Sequence, residues 1–272
     1  MGPREMRTGQ WKDENLGPVD AVIARLNSLS AYGAFRGQAN NEYDLCPTLL
    51  RKDECGKPKI EAPEKREVEL LSSFCDKARI YFYGPERLYA DRRNLLLALP
   101  LARHYSVPTR ALDWTRDPLI AAYFACASEE NEINADGVVW WFDGRHHDRE
   151  GAFELSLKDH WITHQFKRNI SGEVDLSRLF EKDGLPDRRF VTKVYYPPVL
   201  DRMTKQKAFL TVAGELQVNQ QTMIHSLSKG CCGRVTFPAA IKRDLLRELG
   251  LMGIHATALG DTIIDRIGAS LH

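Results

Sequence analysis

The chain has 272 residues, 43% of them hydrophobic, which is enough to bury a sizeable core. Its 38 basic and 37 acidic residues leave a formal charge of +1, which excludes a global electrostatic pull on nucleic acid or on an anionic membrane. No apolar run reaches the roughly 20 residues a bilayer requires, and Met1 to Met6 show no apolar leader stretch. A cytoplasmic protein without membrane contact is therefore expected. Cysteines 46, 55, 75, 126, 231 and 232 show no CxxC spacing, so reduced thiols are expected and no metal site.

In chain order, Asp20 to Leu29 places Val22, Ile23, Leu26 and Leu29 at helical spacing. Tyr32 to Gln38 reads as a short strand ending in a turn. After a loop over 40–59, helices are expected over Ala62 to Ile80 and over Glu86 to Arg103, the latter bent or ended by Pro100.

From His104 to Pro118 the chain sets His104, Thr109, Arg110, Asp113, Trp114, Thr115, Arg116 and Asp117 in what reads as a turn-rich loop. Asp117 can cap a helix whose first residue, Pro118, needs no N–H donor. That helix is apolar almost all round and is expected to be buried. His104, Tyr105, Arg110, Asp113 and Thr115 should then converge at one end of the core. A purely architectural reading competes: an Arg110–Asp113 pair and a buried Trp114 that fix a corner.

Gly137 to Phe142 is a β-branched and aromatic run, expected as a buried strand. Further strands are expected at Phe190 to Tyr196, Phe209 to Val212, Met223 to His225 and Arg234 to Phe237, and a helix over Ala239 to Leu249. The fold class implied is α+β, with a helical first half and a mixed or antiparallel β core. With no repeat or linker, residues 1–272 read as one domain carrying a polar insertion at 145–190. His160 and His164 within it sit four apart but lack the glutamate of a zinc protease motif.

Arg36 at a strand end, followed by Gly37, suits a phosphate or carboxylate, since a guanidinium presents paired donors and glycine lets a ligand approach the backbone. A surface ion pair to Glu42 or Asp44 is the plainer alternative. Phe35-Arg36-Gly37-Gln38, His104-Tyr105-x-x-Pro108-Thr109-Arg110-x-Leu112-Asp113-Trp114-Thr115 with Ala121 and Phe124-Ala125, and Arg202-x-x-x-Gln206-x-x-Phe209 together resemble the FRG domain family. The resemblance spans about residues 20–255, with 246–253 as the closing helix.

A second resemblance, to ADP-ribosyltransferases, lies in the order of Arg36-Gly37, Trp114-Thr115 before an Ala-x-x-Phe helix, and Gln206 before Ala208-Phe209-Leu210. It implies an ADP-ribosyltransferase-like core and NAD as substrate. The protein would be an effector that transfers ADP-ribose to a macromolecular acceptor, protein or nucleic acid, or cleaves the nicotinamide bond. Arg36 would hold the pyrophosphate or a ribose, Thr115 would brace the pocket, and Tyr105 or Trp114 would stack on nicotinamide. Asp113 would orient Arg110.

Gln206 stands where that class carries a glutamate that stabilises the oxocarbenium-like charge, so it can orient without supplying charge. Glu215 could take that role and His104 could serve as base. Gln206 also reads simply as a satisfied polar residue at a strand edge. The alternatives in function are a non-catalytic nucleotide or phosphate-binding module, and a nucleic-acid-processing protein using the basic residues Lys193, Arg202, Lys205 and Lys207.

Overall fold

The computed structural model describes residues 11–127, 134–144, 176–180, 191–216, 219–228 and 231–260. Apart from 176–180, the expected insertion at 145–190, including His160 and His164, lies outside the described residues. The elements are β1 (Lys12–Asn15), α1 (Val19–Leu29), β2 (Phe35–Gln38), α2 (Pro63–Tyr81), α3 (Leu95–His104), β3 (Ala111–Thr115), α4 (Pro118–Cys126) and β4 (Gly137–Phe142). There follow β5 (Val191–Tyr195), α5 (Asp201–Lys205), β6 (Ala208–Ala213), α6 (Gln220–Leu227), β7 (Cys232–Phe237), α7 (Lys242–Leu251) and α8 (Ala256–Leu259).

The strands form one mixed sheet in the order β1-β7-β4-β2-β3-β6-β5, antiparallel except for the β1–β7 pair. The fold is α+β. Three expectations are corrected. Residues 111–115, read as loop, are a central strand, because tertiary pairing with β6 outweighs the local turn chemistry. Met223 to His225 is helical: Asn219 caps α6 by accepting from the Gln221 N–H at 2.8 Å, and strand propensity yields to that cap. The helix expected over 86–103 is divided into a 3-10 turn at Pro85–Tyr89 and α3, which Asn94 caps by accepting from the Leu97 N–H. Pro100 lies inside α3 and does not end it.

Period-2 alternation splits each strand between two faces. On one face, α2 and α3 bury Leu71, Cys75 and Leu99 against Val194, Leu210 and Val212. Beside them, α1, α4 and α7 bury Leu26, Ile120 and Leu245 against Phe35, Val139, Trp141 and Val235. The opposite face packs Trp114, Trp140 and Phe142 with Met223 and Ile224. Fully burying a side chain of this size stabilises the fold by about 1.5–3 kcal/mol. Asp117 caps α4 as expected, accepting from the Leu119 and Ile120 N–H groups at 3.0 and 3.4 Å.

The sheet has one seam. β2 pairs with β4 over four residues and β3 with β6 over five, but β2 and β3 meet only at Phe35↔Thr115. Beyond that contact the two strands part, and the two helical layers on that face part with them.

Candidate functional site

At the seam lies a cavity of about 380 Å³. β2 contributes Phe35 and Arg36 to its wall, β3 contributes Asp113 and Thr115, and the end of α3 contributes Arg103, His104 and Ser106. Phe124 of α4, Tyr196 after β5, and Arg202, Met203 and Gln206 at α5 complete it.

Asp113 is the hub of this wall. Its Oδ2 accepts from Arg103 Nε and Nη2 at 3.1 and 2.8 Å, and its Oδ1 accepts from the Tyr196 hydroxyl at 2.8 Å. Arg36 reaches across the seam to donate from Nη1 to the Asp113 carbonyl at 2.7 Å, with Oδ2 at 3.6 Å. The backbone oxygen that a closed ladder would have paired is thus satisfied by a side chain.

Arg36 is only 13% exposed, and its Nε finds no acceptor among the described residues. Burial lowers the affinity of its guanidinium for the proton; Asp113 opposes this, and Arg103 and Arg51 add to it. Burial would by itself push the Asp113 carboxyl up, but Arg103, Arg36 and the two side-chain donors overcome it and hold the group well below the usual carboxylate range. The Tyr196 phenol is pushed well above its ordinary value, first by burial and then by Asp113.

Thr115, 4% exposed, donates from Oγ1 to the Gln206 carbonyl at 2.7 Å and accepts from the Asp117 N–H at 3.1 Å. It braces the wall between β3, α4 and α5. Two non-glycine residues beside the cavity, Ser106 and Lys207, hold left-handed backbone at φ 62° and 50°, a conformation that costs about 1–2 kcal/mol.

Of the expected site residues, Arg36, Gly37, His104, Asp113, Trp114, Thr115 and Gln206 border the cavity. Arg36 pairs with Asp113 and not with Glu42 or Asp44. The other expected positions differ. Arg110 is 2% exposed and turned away: its Nε bonds Glu67 Oε2 at 2.6 Å, its N–H bonds Oε1 at 2.7 Å, and Nη1 bonds the Ala213 and Gly214 carbonyls. Asp113 therefore orients Arg103 and Arg36, not Arg110.

Tyr105 leaves the cavity for a separate apolar groove, where its ring sits 5.0 Å from Phe82 and 6.0 Å from Phe74. Trp114 borders the cavity along its strand, but its indole goes to the opposite face, against Phe142 and the Thr211 hydroxyl. Neither ring can stack inside the cavity. Glu215 lies two residues beyond the far end of β6, a strand that alone spans about 16 Å from Ala208 at 3.3 Å per residue. Gly37 borders the cavity and also admits a helix: a Cβ there would collide with the Ala121 carbonyl of α4.

The basic residues near α5 are also dispersed. Lys205 pairs with Asp201, Lys207 with Asp117, and Lys193 is buried against the Gly144 carbonyl. Sequence reasoning missed Arg103 and Tyr196 as site residues. Arg103, directly before His104 at a helix end, carried a usable signal; Tyr196, 83 residues from Asp113, stood out only as an aromatic beside the basic cluster.

An α+β protein with an arginine-walled cavity in a split sheet is the class these observations define. Residues 32–134 match the family model of the FRG domain. That segment holds Arg36, Arg103, His104, Asp113 and Thr115, while Tyr196, Arg202 and Gln206 come from the chain that follows it. No curated protein and no solved structure matches the chain.

Proposed function

We propose that the cavity binds NAD or a related nucleotide through its phosphates. The observation that supports this most is the charge of the wall: three guanidinium groups, Arg36, Arg103 and Arg202, face one carboxylate, Asp113, among the described residues. The wall thus favours an anion with spread charge, which guanidinium groups contact through paired donors. Phe124 and Met203 supply apolar surface for a base or a nicotinamide ring, and the volume falls within the usual range of about 300–1,000 Å³ for small-ligand sites.

A second reading, ADP-ribosyl transfer or nicotinamide release, draws on His104 and Asp113, which both line the cavity. In that reaction the bond between ribose C1′ and nicotinamide breaks, and its electron pair leaves with the nicotinamide nitrogen. An acceptor oxygen or water then bonds C1′ and gives up its proton, for which His104 is the available base. Gln206 supplies no negative charge, and its amide is already bonded to the Leu259 carbonyl. Asp113 remains as the stabilising carboxylate, its charge partly offset by Arg103.

Calorimetric titration with NAD, ADP-ribose and inorganic pyrophosphate, alongside an assay for released nicotinamide, tests both readings. Binding that Arg36→Ala weakens by about 10-fold or more, as expected for hydrogen bonds to a charged group, supports the first. Nicotinamide release that His104→Ala or Asp113→Ala abolishes supports the second. No heat and no thermal shift with any of the three probes overturns the proposal.

A further inference from the structure

Gln206 is 6% exposed and donates from Nε2 to the Leu259 carbonyl at 3.1 Å, across 53 residues of sequence. Leu259 ends α8 and buries its side chain in the core shared by α1 and α4. The next residue, Gly260, turns left-handed at φ 64° and lies against Arg202, so that a Cβ on it would stand 3.5 Å from Arg202 Cβ and Cγ. Two residues of the cavity wall, Arg202 and Gln206, therefore rest on one turn far along the chain. On the other side, Thr115 of β3 holds the Gln206 backbone carbonyl.

We infer that Leu259 and Gly260 form a latch that positions Gln206 and Arg202. The short α5 segment has no side-chain cap of its own, and the latch and Thr115 clamp it from opposite sides. Leu259 and Gly260 do not line the cavity; they act through the residues that do. With the turn seated, Arg202 and Gln206 both line the cavity. Released, they lose that common placement. By linkage, a ligand that needs the clamped wall also favours the seated turn. The latch itself is a statement about the protein alone, and only its effect on affinity rests on the proposed function.

The test uses the full chain with Gly260→Val, whose β-branched side chain resists left-handed backbone, and Gly260→Asn, which tolerates it. Hydrogen exchange is read over 201–207, 256–260 and, as a control, β3 and β4. With Gly260→Val, exchange should rise in both 201–207 and 256–260 and stay unchanged in the strands. Affinity for NAD and pyrophosphate should fall about two- to tenfold, the effect of one lost hydrogen bond. Gly260→Asn should restore both.

Faster exchange at 256–260 with 201–207 unchanged overturns the latch, as does no change in either segment. Should Gly260→Val loosen the strands as well, Gln206→Ala decides, since it removes only the side-chain bond. It must then speed exchange at 256–260, and unchanged exchange there sinks the inference. If neither probe binds the unaltered protein, the nucleotide reading fails and the exchange data alone judge the latch.

Discussion

Arg36 and Asp113 meet across two strands that barely touch: Arg36 Nη1 lies 2.7 Å from the Asp113 carbonyl oxygen and 3.6 Å from its carboxylate. One guanidinium thus satisfies a stray backbone acceptor and lies near a half-exposed charge. Arg103 and Tyr196 complete the set around the same carboxylate.

The depressed Asp113 carboxyl makes stability depend on pH in a defined direction. Its proton affinity in the fold is below the unfolded value near about 3.9. The stabilisation is therefore complete above about pH 5 and is lost as pH falls through that value and below. Asp113→Asn should lower the urea midpoint at pH 7, and its deficit against the parent should shrink by pH 3. A deficit that stays constant over this range contradicts the assignment.

Gly37→Ala should destabilise strongly, because its Cβ meets the α4 backbone at Ala121 and Ala125 and not a movable side chain. A loss of about 3 kcal/mol, the upper end for overpacking, is expected. Differential scanning calorimetry should show a Tm lowered by roughly 6–12 °C for a domain of this size.

Glu67 and Arg110 form an enclosed ion pair, 0% and 2% exposed in their side chains. Glu67→Ala alone leaves a buried guanidinium uncompensated and should cost about 3–5 kcal/mol. Arg110→Leu with Glu67→Met should cost less than the sum of the two single changes. Chemical denaturation of the four proteins in a double-mutant cycle measures this. The proposed nucleotide binding should survive in any of them that folds, since neither residue borders the cavity.

The six thiols divide by burial. Burial pushes Cys75 up to about 11 and Cys126 and Cys232 up to about 12, and it also raises Cys46. Cys55 and Cys231 are exposed. Titration with a chromogenic disulfide at pH 8 should give two fast thiols in the native protein and all six after unfolding.

What the sequence made legible was local or carried by motif. The α4 start was readable because Asp117 and Pro118 act on the backbone beside them. The buried strand β4 was readable because Val138 to Phe142 leave no polar face. Strand β3 was hidden because Asp113 and Thr115 mark it as polar, and only pairing with β6 shows that these two side chains face a cavity. The site was half legible for the same reason. Arg36, His104 and Asp113 stood in recognisable runs, but a sequence does not state on which side of a strand a guanidinium emerges. Arg110, the more prominent arginine of its motif, turned inward to Glu67, while Arg103 took the place expected of it. The second role of Gly37 was hidden because glycine permits close approach by anything, and here α4 packs against its Cα.

The lone Phe35↔Thr115 contact divides the sheet into a plate of four strands and a plate of three, each backed by its own helices. Trp114 and Phe142 already bolt the two plates together on the opposite face, so a molecule wedged at the crack would close the second side of a joint that is now pinned on one.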